Sequence, residues 1–314
     1  MFFKNDNPFS NASLSLENSL EDIKIPVDLS LFSEEAEILE YWRNLKGDDN
    51  WSQARSNENF RLIEKVYPFG TRRVYEPIDH KNNLDLQSSR GLGFNGDEDI
   101  EKMVKSYIRK TSLFHESDKL RFDEASLVVE KITEQLEDFL SQNNDPVAAK
   151  AVKIAVARGK DKFVEIGART ANFLNHYKNN GWTKVIGYDI NPISVGIAKK
   201  LGWDLRLGDI KDASGFDLKD SGLVVLYHVL EHVSDPLKSL KTLNTAAGIG
   251  TKFHIEIPIE PGIPRLRYGH LFPFESGDLV EMLKLAGFIP VSFSNIPHPG
   301  GPAIERVVAV STGV

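Results

Sequence analysis

The densest chemistry in the chain lies in the run His228-Val-Leu-Glu231-His232, with His270 further on. An imidazole is the usual side chain for taking a proton near neutral pH. Three readings of the group stand. His232 or His270 acts as a general base on an acceptor hydroxyl. Alternatively His228, Glu231, His232 and His270 hold a divalent cation, and mixed His/Glu ligation suits an ion softer than Mg2+. In the third reading Glu231 and His232 only bond the backbone and shape a turn. A second set is acidic. Glu165-Ile-Gly167-Ala168-Arg169-Thr-Ala171 follows a short apolar run, Asp189 lies 22 residues past Gly167, and Gly208-Asp209-Ile210 comes next. An acid at that distance suits the two hydroxyls of a ribose, since a carboxylate accepts both hydrogen bonds. The bland alternative is a solvated Asp opening the Asn191-Pro192 turn. A dinucleotide site wants Gly-x-Gly-x-x-Gly, and this loop has one Gly, which disfavours it. Arg265 and Arg267, ahead of His270, could clamp a phosphate or carboxylate or simply form surface ion pairs. Arg72, Arg73 and Arg121 read as solvated or paired with acids, and Trp182 as a core residue.

These groups need strands to place them. From residue 160 onward the pattern alternates. Lys162–Ile166, Lys184–Tyr188, Asp204–Leu207, Gly222–Tyr227 and Lys252–Ile257 read as strands. Helices are expected through Phe173 and Tyr177, from Pro192 to Leu201, from Pro236, and from about Ser276 to Leu285. The continuous apolar run Gly-Leu-Val-Val-Leu-Tyr fits a strand covered on both faces. Phe288–Phe293 and Ala303–Val310 are joined by a Pro/Gly linker without a helix, so they should pair antiparallel. The alternation predicts an α/β fold, a doubly wound Rossmann-like sheet of seven strands closed by an antiparallel hairpin. In such sheets ligands lie outside the carboxyl ends of the strands, where strand order reverses. Residues 145–314 form this domain in the sequence reading.

Residues 1–144 read as a mainly helical region that covers the substrate cleft. Helices are expected from Glu34, from about Asp97, and over Glu124–Leu140, where Val128, Ile132, Leu136, Phe139 and Leu140 share a face. Asn143-Asn144-Asp145-Pro146 ends that helix and caps another to about Ala157. Residues 68–95 read as loops around a short strand, Arg73–Tyr75.

Composition bounds the function classes. The chain has 314 residues, 41% hydrophobic and 26% charged, with a net charge of −7 and no Cys. Without Cys there is no disulfide scaffold, thiolate metal site or thiol nucleophile. A net acidic chain is a poor non-specific binder of nucleic acid, so none is expected as a partner. The start, Met1-Phe-Phe-Lys-Asn-Asp-Asn-Pro, lacks the apolar stretch of a signal peptide, and no window of about 18 apolar residues would span a membrane. A cytoplasmic protein without a membrane partner is expected.

Taken together, the strand-end residues resemble class I S-adenosylmethionine-dependent methyltransferases of the small-molecule type, over about residues 145–314. Phe163-Val-Glu-Ile-Gly167 looks like that family's first motif, Gly187-Tyr-Asp-Ile190 like its second and Gly208-Asp-Ile210 like its third. Tyr227-His-Val-Leu-Glu-His-Val-Ser-Asp-Pro236 is closely similar to its strand-four segment. His254-Ile-Glu-Ile-Pro258, Gly269-His-Leu-Phe-Pro-Phe274 and Leu285-Ala-Gly-Phe288 also look familial. The resemblance implies S-adenosylmethionine as cofactor, met by Glu165, Gly167, Ala168, Arg169, Asp189, Ile190, Asp209, Ile210 and Tyr227. Asp189 would take the ribose and Asp209 lie near the adenine amino group. It implies methyl transfer to a hydroxyl of a small polar acceptor, such as a sugar or sugar nucleotide. Some small-RNA and quinone-pathway relatives carry Glu-x-x-Glu-His as a metal site, and this chain is similar except that His228 replaces the first Glu. The chain departs from the family at the loop that usually reads Gly-x-Gly-x-Gly. Arg169 and Ala171 stand at its second and third glycines, where a Cβ can cost about 1–2 kcal/mol. Arg169 could offset this by pairing with the methionine carboxylate of the cofactor. The alternative is a degenerate domain acting as a cofactor-binding or protein-interaction module.

Overall fold

A computed structural model describes residues 60–78, 119–168, 172–190, 202–262, 269–297 and 302–314, together with 195 and 198. Two strands, β1 (Phe60–Tyr67) and β2 (Gly70–Pro77), form a hairpin. Helices α1 (Lys119–Gln142) and α2 (Pro146–Ala157) lead into the sheet. There follow β3 (Lys162–Ile166), α3 (Asn172–Asn179), β4 (Lys184–Asp189), β5 (Leu205–Leu207) and β6 (Leu223–Tyr227). The chain continues through α4 (Pro236–Ala247), β7 (Lys252–Pro258), α5 (Asp278–Leu285), β8 (Phe288–Ile296) and β9 (Ile304–Ser311).

The seven-stranded sheet runs β5-β4-β3-β6-β7-β9-β8. The five strands from β5 to β7 are parallel, and β9 is antiparallel to both of its neighbours. This is the doubly wound Rossmann-like fold with its closing hairpin. From β3 the chain winds outward to β4 and β5, then returns to β6 on the other side. The order therefore reverses between β3 and β6, and the crevice opens where Gly167 and His228 leave those strands.

Alternation divides the central strands between two cores. Val164, Ile166, Val224, Leu226, Ile255 and Ile257 point to one face with Leu240, Leu279 and Met282 of α4 and α5. Phe163, Leu223, Val225 and Val308 point to the other with Ile132, Leu136, Val152 and Leu174 of α1, α2 and α3. With both faces covered, the central strands are mostly apolar, the exceptions including Glu165 on β3 and His254 and Glu256 on β7. Asp145 and Asp235 cap α2 and α4 by accepting the amides of Val147 and Lys238, and Pro146 and Pro236 open the helices. Trp182 is buried in the second core, as expected.

The hairpin contains and lengthens the strand expected at Arg73–Tyr75, and residues 79–95, read as loop, lie outside the described residues. The strand there spans Gly70–Pro77 and has a partner, Phe60–Tyr67, that the sequence pattern did not reveal. Leu62 and Val66 face solvent, so β1 lacks clean alternation. The strands pair through a full antiparallel ladder, with two exposed cross-strand ion pairs alongside it. Arg61 lies opposite Glu76 and Glu64 opposite Arg73, with N–O distances of 2.9 and 3.3 Å. Phe60, Tyr67, Arg72 and Val74 turn inward. Of the two expectations for Arg72 and Arg73, pairing with acids is the one met: Arg72 is buried on Asp278 and Arg73 pairs with Glu64 at the surface. The expected helices from Glu34 and Asp97 and the side chain of Arg121 lie outside the described residues. So does the helix Pro192–Leu201, except for Val195 and Ala198, which are helical.

Candidate active site

At the β3 end, Gly167 adopts φ +77°, the left-handed region that disfavours a side chain. A Cβ there would lie 2.5 Å from Val229 Cγ2, so the loop after β3 packs directly on the turn after β6. The amides of Gly167 and Ala168 both donate to the Tyr188 carbonyl, at 2.7 and 3.1 Å. These two residues could therefore meet a ligand by shape, while their donors tie the loop to β4. Arg169 lies outside the described residues.

Asp189 ends β4 and is 8% exposed; its carbonyl accepts the Gly208 amide at 2.9 Å. Asp209 follows the adjacent β5, and its Oδ1 caps the 3-10 turn Ile210–Gly215 by accepting the Lys211 amide. Ile190 is half-buried and Ile210 buried beside them. Two carboxylates on neighbouring strand ends suit a ligand presenting donors: a ribose diol and an adenine amino group. The donor set thus fits S-adenosylmethionine.

Glu165 and Tyr227 take another direction. Their parity on β3 and β6 turns them to the face covered by α1, α2 and α3, where Glu165 is buried. The Tyr227 hydroxyl shares a 2.7 Å hydrogen bond with His254 Nδ1. On the same face Glu256 accepts from Arg306 at 2.7 Å. Burial pushes the Tyr227 phenol well above its ordinary pKa and holds the His254 imidazole down at about 4, so both are neutral.

The histidine cluster is assembled from three segments. The 3-10 turn Leu230–His232 follows β6, Glu260 follows β7, and His270 lies ahead of α5. The Glu231 carbonyl accepts the amides of Leu271 and Phe272 at 2.7 and 3.1 Å, drawing the His270 loop against the turn. The rings of His232 and His270 sit edge to face with centroids 5.1 Å apart. Among the described residues, Glu231, His232 and His270 each bring a ligand atom within 4.8 Å of the others. His228 joins through Glu231, its Nδ1 lying 3.5 Å from Oε1. It sits at φ +57°, a conformation that is uncommon outside Gly and gathers at functional sites. Exposure rises from 2% for the Glu231 side chain through 14% for His232 to 35% for His228, so the cluster opens to solvent on the His228 side.

Both inner histidines have a fixed tautomer. The Gly269 carbonyl can only accept, and it lies 2.8 Å from His232 Nδ1. The Glu260 carboxylate lies 2.5 Å from His270 Nδ1. Each Nδ1 therefore carries the proton and each neutral ring keeps its lone pair on Nε2. Glu231 is nearly inaccessible, and its Oε2 has no hydrogen-bond partner among the described residues. Burial pushes its carboxyl up, but the hydrogen bond with His228 and the positive charge that His232, His228 and His270 carry once protonated, as they are in the acid range where a carboxyl titrates, outweigh that and hold it at about 2. A depressed carboxylate stabilises the fold above its unfolded pKa, near 4.5, and that contribution vanishes as pH falls to about 2. Glu231→Gln should thus cost about 1–3 kcal/mol at pH 7 and much less at pH 2.5, read by urea unfolding at the two pH values. An equal loss at both would contradict the ionised state.

Two parts of this site escaped the sequence reading. Glu260 follows a strand end, the location that singled out the other acids, but no spacing links it to His270. The hairpin also supports the site. Its Tyr75 amide donates to the Leu271 carbonyl at 2.9 Å, Tyr67 packs edge-on against Phe272, and Lys65 reaches the Ser234 carbonyl at 3.0 Å. Arg265, Arg267 and Ala171 lie outside the described residues.

A family model described as a methyltransferase domain matches residues 129–292, just over half of the chain. The chain therefore belongs to the methyltransferase-domain family. No curated protein matches it. Similar solved structures include S-adenosylmethionine-dependent methyltransferases from three organisms. The Mesorhizobium loti protein is 16% identical with a TM-score of 0.42, over 53% of this chain and 99% of that one. The Archaeoglobus fulgidus protein is 17% identical with a TM-score of 0.39, over 49% and 87%. The Clostridium acetobutylicum protein is 11% identical with a TM-score of 0.39, over 56% and 90%. No helix among the described residues is long and apolar enough to cross a membrane.

Proposed function

We propose that the protein is an S-adenosylmethionine-dependent methyltransferase acting on a hydroxyl of a small polar acceptor, with His232 or His270 as the base. The observation that carries the reading is the cluster itself. Two imidazoles from separate segments meet at an ionised, buried carboxylate, beside the turn that packs on Gly167. S-adenosylmethionine supplies a methyl group already activated on its sulfonium. The chain must hold an acceptor oxygen in line and remove its proton. The Gly269 and Glu260 acceptors keep both basic nitrogens at Nε2. Glu231, with Oε1 3.8 Å from His232 Nε2, stabilises the imidazolium that proton transfer creates. Methyl transfer from a sulfonium requires no Lewis acid, so the base reading needs no cation. Arg265 and Arg267, in the stretch ahead of His270, support an acceptor that carries phosphate or carboxylate, such as a sugar nucleotide. The hairpin's hold on Leu271 supports a role for the N-terminal region, residues 1–144, in shaping the acceptor side.

Asp189 offers the test of the cofactor half. Its carboxylate would accept both ribose hydroxyls, so Asp189→Ala should weaken S-adenosylmethionine binding by about 2–4 kcal/mol. The fold should survive, because the residue ends a strand. Calorimetry on the folded variant checks this, and unchanged affinity would remove Asp189 from the site.

A further inference from the structure

The buried pair of Glu260 and His270 lies within the one connection between β7 and α5, ten residues apart, and the sheet does not require the two side chains to meet. Glu260 lies two residues beyond β7, and its backbone amide is anchored on the Phe274 carbonyl at 2.8 Å. That bond closes the loop carrying His270 on itself and brings Glu260 Oε2 to 2.5 Å from His270 Nδ1. Both side chains are nearly inaccessible, at 5% and 9% exposure. Both inner histidines have Glu231 within 4.8 Å, and they differ in what backs Nδ1. His232 has a neutral carbonyl behind its Nδ1, whereas His270 has a carboxylate. A carboxylate in that place fixes the tautomer and ring direction, and it stabilises the positive ring that forms when Nε2 takes a proton. A carbonyl supplies the first two effects but little of the third.

We propose that Glu260 is a positioning residue for methyl transfer, holding His270 with its lone pair on Nε2 and making His270, rather than His232, the proton acceptor. This rests on the base reading of the cluster. Glu260 touches neither acceptor nor cofactor; it acts through His270. The acceptor's proton moves to His270 Nε2 while the Nδ1 proton stays shared with Glu260, so each ring nitrogen carries one proton in the charged state. The new oxygen–methyl bond forms as the sulfonium–methyl bond breaks, and the sulfur leaves neutral.

The test combines a spectroscopic and a kinetic readout on the full chain. With histidine labelled by nitrogen-15, proton–nitrogen correlation spectra of the cofactor-free protein report which ring nitrogen of His270 is protonated. The native protein should show Nδ1–H. Glu260→Ala should release the ring to a mixture that includes Nε2–H, while Glu260→Gln, whose amide oxygen can still accept, should keep Nδ1–H. Turnover is read as transfer of tritiated methyl from S-adenosylmethionine into a small-metabolite extract at saturation. It should fall about 10²-fold in Glu260→Ala and about 10-fold in Glu260→Gln, with KM for S-adenosylmethionine within about 2-fold of native. A purely structural Glu260 would move KM together with turnover. Native His270 in the Nε2–H form, or a folded Glu260→Gln variant with native turnover, overturns the proposal. If His270→Ala turns over normally while the native spectra show Nδ1–H, the pair is real but the base lies elsewhere, and both the role of Glu260 and the assignment of His270 fall. If neither His232→Ala nor His270→Ala slows turnover, the base reading itself has failed.

Discussion

Replacing His270 by Ala is expected to lower methyl-transfer turnover by at least about 10²-fold, with cofactor affinity nearly intact. A general base contributes about 10²–10⁴-fold, and the loss should appear in turnover because the acceptor can bind without it. His232→Ala should also fall by about that factor. Its ring packs edge-on against His270 and its Nδ1 holds the Gly269 carbonyl, so removing it disturbs the same loop. Two controls separate the chemistry. A chelator should leave the native rate unchanged; silencing by chelator and restoration by Mn2+ would instead make Glu231, His232 and His270 a cation site. Normal turnover in both variants would leave Glu231 and His232 as turn-shaping residues. The assay is again transfer of tritiated methyl into a metabolite extract.

The largest stability effect is expected from Arg72. Its guanidinium forks onto Asp278 at the start of α5, with Nε–Oδ2 and Nη2–Oδ1 at 2.7 and 2.6 Å, and Glu275 lies 3.2 Å from Nη2. Both partners are buried. Glu305 is buried nearby, its Oε2 accepting the Gly277 amide at 2.5 Å, and burial followed by the charge of Asp278 pushes its carboxyl up. Arg72→Ala would leave these acids facing each other without a cation. Removing one member of a buried pair costs about 3–5 kcal/mol, and urea unfolding should show a loss of that size. Arg72→Met combined with Asp278→Leu should recover a large part, since no charge is then stranded. Amide exchange at Tyr75 should quicken in the single variant, because the hairpin loses its anchor to α5 and its bond to the Leu271 carbonyl is left with less support. A loss below about 1 kcal/mol would show that the hairpin docks by its apolar residues alone.

Arg72 also marks where sequence reasoning stopped. The sheet was legible because each central strand is a short apolar run between turn residues, and burial on both faces demands that pattern. Asp145-Pro146 and Asp235-Pro236 announced their helices for a local reason, capping and a preset φ. The hairpin had neither signal. On β1 the buried residues Phe60 and Tyr67 sit only at the two ends, on β2 one of the two alternating inward residues is the charged Arg72, and the hairpin is docked onto distant elements. Long-range contacts of this kind leave no local trace. At the site, Asp189, Asp209 and the histidines could be named because topology sends every strand end to one rim. Glu260 could not be tied to His270 that way. The partnership depends on how the loop after β7 folds back onto Phe274, which residue spacing does not encode. Tyr227 carries the complementary lesson. Its strand-end position suggested a ligand contact, but side-chain parity turns its hydroxyl to His254 inside the second core.

The central claim is that this chain binds S-adenosylmethionine at the crevice between β3 and β6 and transfers its methyl group. Calorimetry of the full chain with S-adenosylmethionine and its demethylated product tests it most directly. The account predicts one site per chain with a dissociation constant of about 10 μM or tighter, near −7 kcal/mol, and a marked weakening in Asp189→Ala. No binding of either compound up to about 1 mM, the range of only −4 kcal/mol, would contradict it and leave a methyltransferase fold serving as an interaction module.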